Sequence, residues 1–448
     1  MNSDTSGRTA LAAALDKMQA DVVHAGTFDY GCNFRERRLR REELLGGADT
    51  AVFANVLPKW DLSESILFPG PYGSEAIAYD ISSLRPYPFE PGAAALVADY
   101  SGPQASIMPR NVLAGQIARA EASGFDVVAA TEFEFIVLNE TAESLRAKKF
   151  SDLAQVAPDN RCWSGQTAAV HSGFVSELEA CLNAADIGLF SLSVELGPGC
   201  FEATLKHRGA MRAADDAAFF RMFTKAFCRR RGLTASFMPL TGAGFPGIGG
   251  HINLSLRSRS SGRNAFGDAG DANGLSPVAK SFLAGLIDVM PDLFPMVAHT
   301  VNAYRRLAPG SWAPKTMSWA AYNYAAAVRT AAETEEMTRL ELRLPGSDMN
   351  PYLSIAAMLA AGLDGLDRGL ELTTPPITRG GPDEIPQGAE RLPVDLLGAT
   401  TRFRASARAR ALLGDAFVDH FAAVCEAEDA SLRRAVSAAE VQRYLEVG

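Results

Sequence analysis

Several features that would assign a function at once are missing from this 448-residue sequence. Its six cysteines are scattered without a CxxC pair, which excludes the common zinc-ribbon spacing and leaves no disulfide framework. Lysine and arginine (43) are outnumbered by aspartate and glutamate (52), and the net charge is −9. Nucleic-acid-binding proteins usually carry a basic face, so we expect no nucleic-acid partner.

Long apolar runs are missing as well. No stretch approaches the roughly 18 uncharged apolar residues of a membrane-spanning helix. The N-terminal segment MNSDTSGRTALAAALDKM has no apolar core of the signal-peptide type. We therefore expect a cytoplasmic protein that has no membrane partner. The hydrophobic (47%) and charged (21%) fractions are ordinary for globular proteins, and the length suggests two or three domains.

Common nucleotide and nucleophile motifs are also absent. There is no GxxxxGK[ST] loop and no GxSxG elbow. The string Gly242-x-Gly244-x-x-Gly247 matches the dinucleotide fingerprint, but it contains Pro246 and runs into the alternating segment HINLSL. Because the fingerprint needs a strand before it and a helix after it, we reject a dinucleotide site here. A glycine-rich loop near a ligand and a simple tight turn both stay open.

The pattern of apolar residues changes near residue 105 and predicts two domains. Residues 1–105 contain short alternating segments separated by Pro and Gly, which suits strands of a small antiparallel or mixed sheet. Helical spacing follows in 111–123, and segment 373–393 is rich in Pro and Gly, which predicts a long surface loop. Further helical patterns lie in 169–185, 209–230, 277–298, 353–367 and the tail from 400. We predict an α+β protein with domains 1–105 and 106–448.

Polar and apolar residues alternate in three short segments, TEFEF, HINLSL and RLELRL. Because a strand directs alternate side chains to opposite faces, each segment has one apolar and one polar or ionic face. The residues on the polar faces are Glu132, Glu134, His251, Asn253, Ser255, Arg339, Glu341 and Arg343. A fourth segment, ELGPGCFEATL, places Glu195 and Glu202 on either side of a Pro-Gly turn.

Two interpretations of these faces are open. Alternation of this kind is common on the solvated side of antiparallel sheets. The content favours a different role, because the segments hold five glutamates, one histidine and an Arg–Glu–Arg row, with no lysine. Carboxylates and histidine suit Mg²⁺ or Mn²⁺, and arginine matches phosphate oxygens. Crowded carboxylates also need cations to stay ionised. The sequence therefore predicts metal–nucleotide chemistry in one cleft.

These segments, in this order, resemble the glutamine synthetase family over nearly the whole chain. The matching segments are DISSLRPYPFEPGAAALVADY, PRNVL, ATEFEF, ELGPGCFE, ASFMPLTGAGFPGIGGHINLSL, VNAYRRLAPGSWAP, RLELRLPGSDMNPYL, AAGLDGL and VQRYLEV. The resemblance implies a small N-terminal β-grasp-like domain and a large catalytic domain with a curved antiparallel sheet and helices. It also implies a homo-oligomer, a dodecamer of two stacked hexamers with sites between neighbouring subunits.

The resemblance further implies roles for single residues. Two or three Mg²⁺ or Mn²⁺ ions would bind at each site, one held by Glu134, Glu195 and Glu202 and a second by Glu132, His251 and Glu341. The implied ATP-binding residues are Arg329, Arg339, Asn253 and Ser255, and the implied substrate-binding residues are Arg306, Arg343, Gly247 and Trp312. The implied catalytic residues are Arg329, Arg339 and Trp312. In the implied reaction, ATP phosphorylates the γ-carboxylate of glutamate, and a nitrogen nucleophile then displaces phosphate.

One departure from the family pattern bears on the substrate. Where glutamine synthetases carry a glutamate that binds and deprotonates ammonium, this sequence has Trp312, in GSWAP. An indole cannot accept that proton, but it can pack against an alkyl or aryl group. We therefore expect an ATP-dependent ligase that joins glutamate to a small organic amine, alkyl or aromatic, in amine catabolism. The alternative for this position is a tryptophan that only packs against its own loop.

Further departures leave two alternative functions open. Relative to the family pattern, substitutions stand at Cys200, Leu240, Pro246, Asn253 and Tyr324. One alternative is an ordinary glutamine synthetase that uses ammonia. The other is a catalytically impaired family member with a binding role. Retention of the metal-ligand set opposes the impaired protein, because buried carboxylates without a cation destabilise a fold.

Overall fold

The computed structural model describes residues 2–46, 51–242, 245–307, 311–378 and 389–446. Its helices are α1 (Asn2–Met18), α2 (Arg41–Gly46), α3 (Pro109–Ala122), α4 (Ala142–Ala147), α5 (Gly165–Val170), α6 (Ser172–Ala184), α7 (Ala210–Arg229), α8 (Pro277–Val289), α9 (Val301–Arg306), α10 (Pro351–Asp367), α11 (Leu396–Ala405), α12 (Ala407–Leu413), α13 (Asp415–Arg434) and α14 (Ala438–Tyr444). Its strands are β1 (Val22–Phe28), β2 (Phe34–Arg40), β3 (Val52–Ala54), β4 (Ser74–Tyr79), β5 (Arg85–Pro86), β6 (Ala93–Tyr100), β7 (Phe125–Leu138), β8 (Leu189–Val194), β9 (Cys200–Leu205), β10 (Arg208–Gly209), β11 (Thr234–Ser236), β12 (Gly250–Ser258), β13 (Trp319–Ala321), β14 (Val328–Ala331) and β15 (Arg339–Leu342).

The first sheet uses the N-terminal strands in the order β2-β1-β6-β4-β3, and β5 pairs with β6. β1 and β6 are parallel, whereas the other pairs are antiparallel. Leu11 and Leu15 of α1 pack in one apolar cluster with Val23 of β1 and Leu96 of β6. This burial explains why β1 and β6 read as nearly continuous apolar runs, while the edge strand FRERRLR carries charge.

The second sheet has the order β13-β14-β15-β12-β7-β9-β8, and β10 and β11 also pair with β7. These pairs are antiparallel except for β13 with β14. The long strand β7 sends Phe133 and Phe135 to the core, where they contact Phe220 of α7 and Phe237. The predicted apolar face of TEFEF therefore packs on helices, and its glutamates lie on the opposite face. The predicted α+β fold is confirmed.

Most of the predicted helices are present with small changes of boundary. The pattern in 277–298 covers α8, which ends at Val289, and a 3₁₀ turn at Phe294–Met296. The pattern in 169–185 is divided between α5 and α6. Of the predicted loop 373–393, residues 379–388 lie outside the described residues. Helix α1 was not among the predicted helices.

Buried arginine–aspartate pairs join the first sheet to helices α3 and α7. Arg110 of α3 donates to both carboxylate oxygens of Asp215 on α7, at 2.9 and 3.0 Å, and also bonds Asp99 of β6. Arg85 of β5 donates to Asp216 of α7 at 2.9 Å. We call these five residues the ion-pair belt. The domain limits of 1–105 and 106–448 stay a prediction. No helix among the described residues is long and apolar enough to span a membrane.

Candidate active site

Strand register brings four of the predicted residues onto one face of the second sheet. His251 of β12 lies directly opposite Glu132 of β7. Two residues along β7, Glu134 lies opposite Glu202 of β9. Cross-strand partners point to the same face of a sheet, and alternate residues of one strand point to opposite faces. The four side chains therefore point away from Phe133 and the helical core. One face therefore collects three carboxylates and an imidazole from three segments that together span residues 132–251 of the chain.

The ligand atoms on this face are close enough to share a metal ion. One ligand atom each from Glu132, Glu202 and His251 lies within 4.8 Å of the other two. The Nδ1 atom of His251 is 3.3 Å from Glu132 Oε2, and the backbone N–H of Gly249 donates to Glu134 Oε2 at 2.8 Å. Together with Glu195, these residues form what we call the acidic cluster: Glu132, Glu134, Glu195, Glu202 and His251.

Glu195 joins the cluster from the turn between β8 and β9. Asn160 holds this turn, because its Nδ2 donates to the carbonyls of Glu195 at 2.6 Å and Gly197 at 2.9 Å. Cys162 Sγ donates to Glu195 Oε1 at 3.4 Å, while Oε2 is buried without a partner among the described residues. Pro246 packs close to Gly197, where an added Cβ would lie 2.6 Å from the proline ring. Sequence patterns gave no sign of Asn160 or Cys162, since contacts between distant loops leave no periodicity.

Neighbouring carboxylates and burial shift the proton equilibria of the cluster. Burial raises the pKa of Glu134 to about 7, although Arg306 and the Gly249 N–H oppose the shift. Burial and the charges of three neighbouring glutamates raise the pKa of Glu202 to about 8. Burial and the nearby Arg343 hold the pKa of His251 well below its usual value, so the imidazole is neutral at pH 7. Neutral imidazole is the form that binds metals.

These residues fit a divalent cation. The donor set is oxygen-rich with one imidazole, which suits Mg²⁺ or Mn²⁺ better than softer metals. The orphaned Glu195 Oε2 and the raised pKa values of Glu134 and Glu202 are both relieved by added positive charge. The close set Glu132–Glu202–His251 takes members from both ligand groups that the family resemblance implied.

Glu341 and the arginines form a second group beside the cluster. Glu341 of β15 lies opposite Arg329 of β14 on one side and Asn253 of β12 on the other. Its carboxylate is fully buried and accepts hydrogen bonds from Arg329 and Arg343. Arg339 donates through Nε to Asn253 Oδ1 at 3.2 Å. Three guanidinium groups thus line one side of the face, an arrangement suited to phosphate or carboxylate oxygens.

The loop before β12 brings glycine backbone against Arg306. Arg306 is buried and donates through Nη1 to the carbonyl of Leu344 at 3.0 Å. A Cβ on Gly247 would lie 2.7 Å from Arg306 Cγ, and one on Gly249 would lie 2.7 Å from His251 Nε2. Glycine is therefore required at both positions for this close approach. The tight-turn interpretation of this glycine-rich loop and a ligand-contacting role are both compatible with the geometry.

Two predicted residues lie at the margin of this face. Ser255 follows Asn253 on the same side of β12, opposite Val128 and away from the carboxylates. Trp312 is 60% exposed and lines an open cleft of about 530 Å³ with Tyr324. The sequence marked Tyr324 only as a departure, whereas the structure stacks its ring against arginines: the ring centroid lies 4.7 Å from Arg329 Cζ and 5.1 Å from Arg343 Cζ.

A family model described as "Glutamine synthetase, catalytic domain" matches residues 106–444, about three quarters of the chain. The chain belongs to the glutamine synthetase family. It is 35% identical over 406 residues to type-1 glutamine synthetase 2 of Dictyostelium discoideum, covering 88% of this chain and 78% of that protein. It is 31% identical over 445 residues to glutamate–isopropylamine ligase of a Pseudomonas species, covering 97% and 96% of the two chains.

A solved structure of ligand-free GmaS has the same fold. It superposes with a TM-score of 0.82 at 28% identity and covers 96% of this chain and 98% of its own. As a member of the glutamine synthetase family, the protein is an enzyme, a ligase that forms a carbon–nitrogen bond. The family uses ATP and divalent metal ions, and the acidic cluster is the candidate site for the metal.

Proposed function

We propose that the enzyme joins the γ-carboxylate of glutamate to an organic amine, with ATP as co-substrate and an acyl phosphate as intermediate. The surroundings of Trp312 support an organic amine over ammonium. The indole is exposed in a cleft that also holds Tyr324, and the described lining of the cleft contains no carboxylate. An apolar group would find contacts there, whereas the described lining offers ammonium no anionic partner. The full-length relative named as a glutamate–isopropylamine ligase is consistent with this choice.

The metal part of the proposal assigns the ligands in two groups. Glu134, Glu195 and Glu202 would hold one Mg²⁺ or Mn²⁺ ion. Glu132, His251 and Glu341 would hold a second, and a third ion can be accommodated by the excess of carboxylate oxygens. Bound ions of this kind neutralise phosphate charge and so allow a carboxylate to approach ATP. For Glu341 this role requires that its bonds with Arg329 and Arg343 rearrange, because both of its oxygens are engaged.

The remaining predicted residues would bind and orient the substrates. Arg329 and Arg339 lie where phosphate oxygens would meet the guanidinium groups, and we propose them as the catalytic arginines. Asn253 and Ser255 extend the same face of β12 and would contact the nucleotide. Arg343, Arg306 and the Gly247 backbone would bind the carboxylate of glutamate. Holding two anions in one geometry lowers the barrier mainly through positioning and charge neutralisation.

The test is phosphate release from Mg-ATP and glutamate with a panel of amines. The panel contains ammonium, methylamine, isopropylamine, ethanolamine, putrescine, benzylamine and aniline, and omission of glutamate gives the background. We expect at least one organic amine to exceed ammonium in kcat/KM. Equal or better use of ammonium would instead make the enzyme an ordinary glutamine synthetase. No stimulation by any amine would mean either that the carboxylic substrate is not glutamate or that catalysis is lost, as in the impaired, ligand-binding alternative.

Two substitutions of Trp312 sharpen this test. Trp312→Glu restores a carboxylate and is expected to raise the use of ammonium relative to the best organic amine. Trp312→Phe is the matched control, because it keeps an apolar ring and should keep the preference. If both variants change the preference in the same way, Trp312 acts only through the folding of its own loop.

An ordinary glutamine synthetase is the second candidate. The relative from Dictyostelium discoideum carries that name at 35% identity. The acidic cluster serves either reaction, because both begin with phosphorylation of a carboxylate. The amine panel therefore separates the candidates, whereas metal or ATP binding does not.

We also propose that the enzyme assembles as a dodecamer of two stacked hexamers. Large apolar side chains are exposed near the C-terminal end of the described chain, with Val436 78%, Tyr444 58% and Leu445 77% exposed. Exposed apolar residues grouped in one segment are typical of an interface. Light scattering at the exit of a size-exclusion column should give twelve chain masses, and a monomer would contradict the proposal.

A further inference from the structure

The cleft beside Trp312 is built by the edge strand of the second sheet. Segment 374–377 is fixed against β13, because Ile377 N–H donates to the Trp319 carbonyl at 2.9 Å and the Trp319 indole donates to Thr374 O at 2.8 Å. On the other side, the β13–β14 connection carries Tyr322 and Tyr324 into the cleft. Hydrogen bonds to β13, one from the backbone and one from the Trp319 indole, therefore hold the 374–377 wall in place.

Tyr322 adopts a backbone conformation that is costly for a tyrosine. Its φ of 54° lies in the left-handed region, which is unfavourable for a residue with a Cβ. Hydrogen bonds hold it at both ends: its N–H donates to Thr330 O, and its hydroxyl accepts from Ala332 N–H, each at 3.0 Å. The fold thus maintains a strained residue whose ring is 52% exposed in the cleft.

The lining of the cleft is aromatic, apolar or uncharged polar. The described lining presents the rings of Trp312, Tyr322 and Tyr324 together with Pro376 and Ile377, and its polar side chains are Asn273, Asn323 and Thr378. Within the described lining, no side chain changes its charge near neutral pH. A charged group on the substituent of an amine would therefore lose hydration without gaining an ion-pair partner in that lining. A volume of about 530 Å³ is ample for a branched alkyl or aryl group.

The cleft adjoins two arginines of the candidate site. Tyr324 is shared between them, since it lines the cleft and its ring packs on Arg329 and Arg343. Arg343 Nε also donates to the Tyr324 carbonyl at 3.0 Å, which holds Tyr324 against these arginines. An amine whose nitrogen reaches the carboxylate held by Arg343 would leave its substituent on the cleft side.

We propose that this cleft receives the apolar substituent of the amine, and that Tyr322 and Ile377 set a preference for branched alkyl or aryl amines over methylamine and diamines. This inference rests on the proposed function, because it names the substrate class of the same site. In the reaction, an alkylammonium ion first loses one proton to solvent. The neutral nitrogen then forms the new C–N bond, phosphate leaves from the acyl carbon, and the nitrogen loses a second proton to solvent. No bond within the substituent forms or breaks, so its contacts with the cleft affect only which amine the enzyme binds and positions.

The experiment compares kcat/KM for isopropylamine and benzylamine with kcat/KM for methylamine in Ile377 variants. Ile377→Ala removes wall contacts, and Ile377→Trp fills the cleft. In either variant we expect the ratio of the bulky amine to methylamine to fall about tenfold, the effect of gaining or losing a methylene-sized contact in a pocket. The ratio cancels any loss of folded or assembled enzyme. Phe190→Ala, which removes a ring that is 80% exposed on β8, is the matched control and should leave the ratio unchanged.

The outcomes separate the inference from the proposed function. If wild-type enzyme uses organic amines but both Ile377 variants keep the wild-type ratio within twofold, the cleft does not bind the substituent and the inference is wrong, while the proposed function stands. If no organic amine stimulates phosphate release in wild-type enzyme, the proposed function fails and the inference fails with it. A wild-type preference for putrescine over isopropylamine would also overturn the inference.

Discussion

The ion-pair belt and the acidic cluster both bury charge, but they balance it in opposite ways. In the belt, Arg110 bonds Asp99 and Asp215 as well as the adjoining Asp80, and Tyr352 donates to Asp215 at 2.7 Å. In the cluster, four glutamates share a face without a direct arginine bond among the described residues: Arg329 and Arg343 are bonded to Glu341, and Arg306 donates to backbone carbonyls. The buried aspartates of the belt therefore have bonded cations, whereas within the described chain the glutamates of the acidic cluster do not.

The pKa values reflect this difference. Burial raises the pKa of Asp99 in the belt to about 6, although its bond with Arg110 opposes the shift. Burial and neighbouring glutamates raise the pKa of Glu202 in the cluster to about 8. Removing a partner from the belt should therefore damage the fold, whereas removing a charge from the cluster should damage function.

The largest expected effect is on the belt. Arg110→Met leaves Asp80, Asp99 and Asp215 without their shared cation. We expect the free energy of unfolding to fall by about 3–5 kcal/mol, the typical cost of an uncompensated buried charge. Urea unfolding followed by circular dichroism measures this loss in the free energy of unfolding. Arg410→Met is the control, because its pairs with Asp415 and Asp419 are exposed and should contribute little. Equal losses in the two variants would remove the distinction between belt and surface.

The next effect separates the cluster from the belt. Glu202→Gln should reduce kcat/KM by about 100-fold through loss of metal affinity, an effect of the size typical for disturbed metal sites. In EDTA the same variant should be as stable as wild type or more stable, because one uncompensated carboxylate is gone. Urea unfolding with and without Mg²⁺ checks this, since a ligand of the folded state stabilises it by mass action. A loss of stability in EDTA would show that Glu202 serves the fold.

A smaller effect is expected from the residue that positions Glu195. Asn160→Ala removes two hydrogen bonds to the turn, at the carbonyls of Glu195 and Gly197. We expect the apparent affinity for Mg²⁺ to fall about tenfold, because support of a ligand typically contributes that much. Mg²⁺ titrations of phosphate release give the value. Asn160→Asp is a useful comparison, since it keeps the volume but loses the amide donor. Unchanged Mg²⁺ dependence in both variants would exclude a positioning role.

The smallest effect concerns His24 of the first sheet, which bonds two glutamates. Burial lowers the pKa of His24, but hydrogen bonds to Glu36 and Glu90 outweigh it, so the folded pKa is raised. A raised pKa means that the folded state binds the proton more tightly than the unfolded state. The contribution of His24 to stability is therefore complete below its unfolded value of 6.5 and is lost as pH rises through the folded pKa. The difference in urea midpoint between wild type and His24→Gln should shrink as pH rises, and a constant difference would contradict this.

The sequence by itself determined the faces of the strands. Side-chain parity along a strand is a local property, so the ionic faces of TEFEF, HINLSL and RLELRL could be predicted from alternation alone. The chemistry of those faces, glutamate with histidine and arginine, indicated a cation and phosphate. The ordered motifs that resemble the glutamine synthetase family then predicted membership of that family and its fold.

Only the tertiary structure decided which faces meet and what surrounds them. The pairing of His251 with Glu132, and of Glu134 with Glu202, depends on register between segments distant in the chain. The contact of Cys162 with Glu195 and the packing of Tyr324 on Arg329 and Arg343 depend on loops. Loop sequences show no regular spacing of apolar residues from which such contacts could be predicted. The local sequence pattern determines the direction in which a side chain points from its strand. Its contacts with residues distant in the chain depend on the packing of the whole chain, because apolar burial and charge pairing must be satisfied in the same fold.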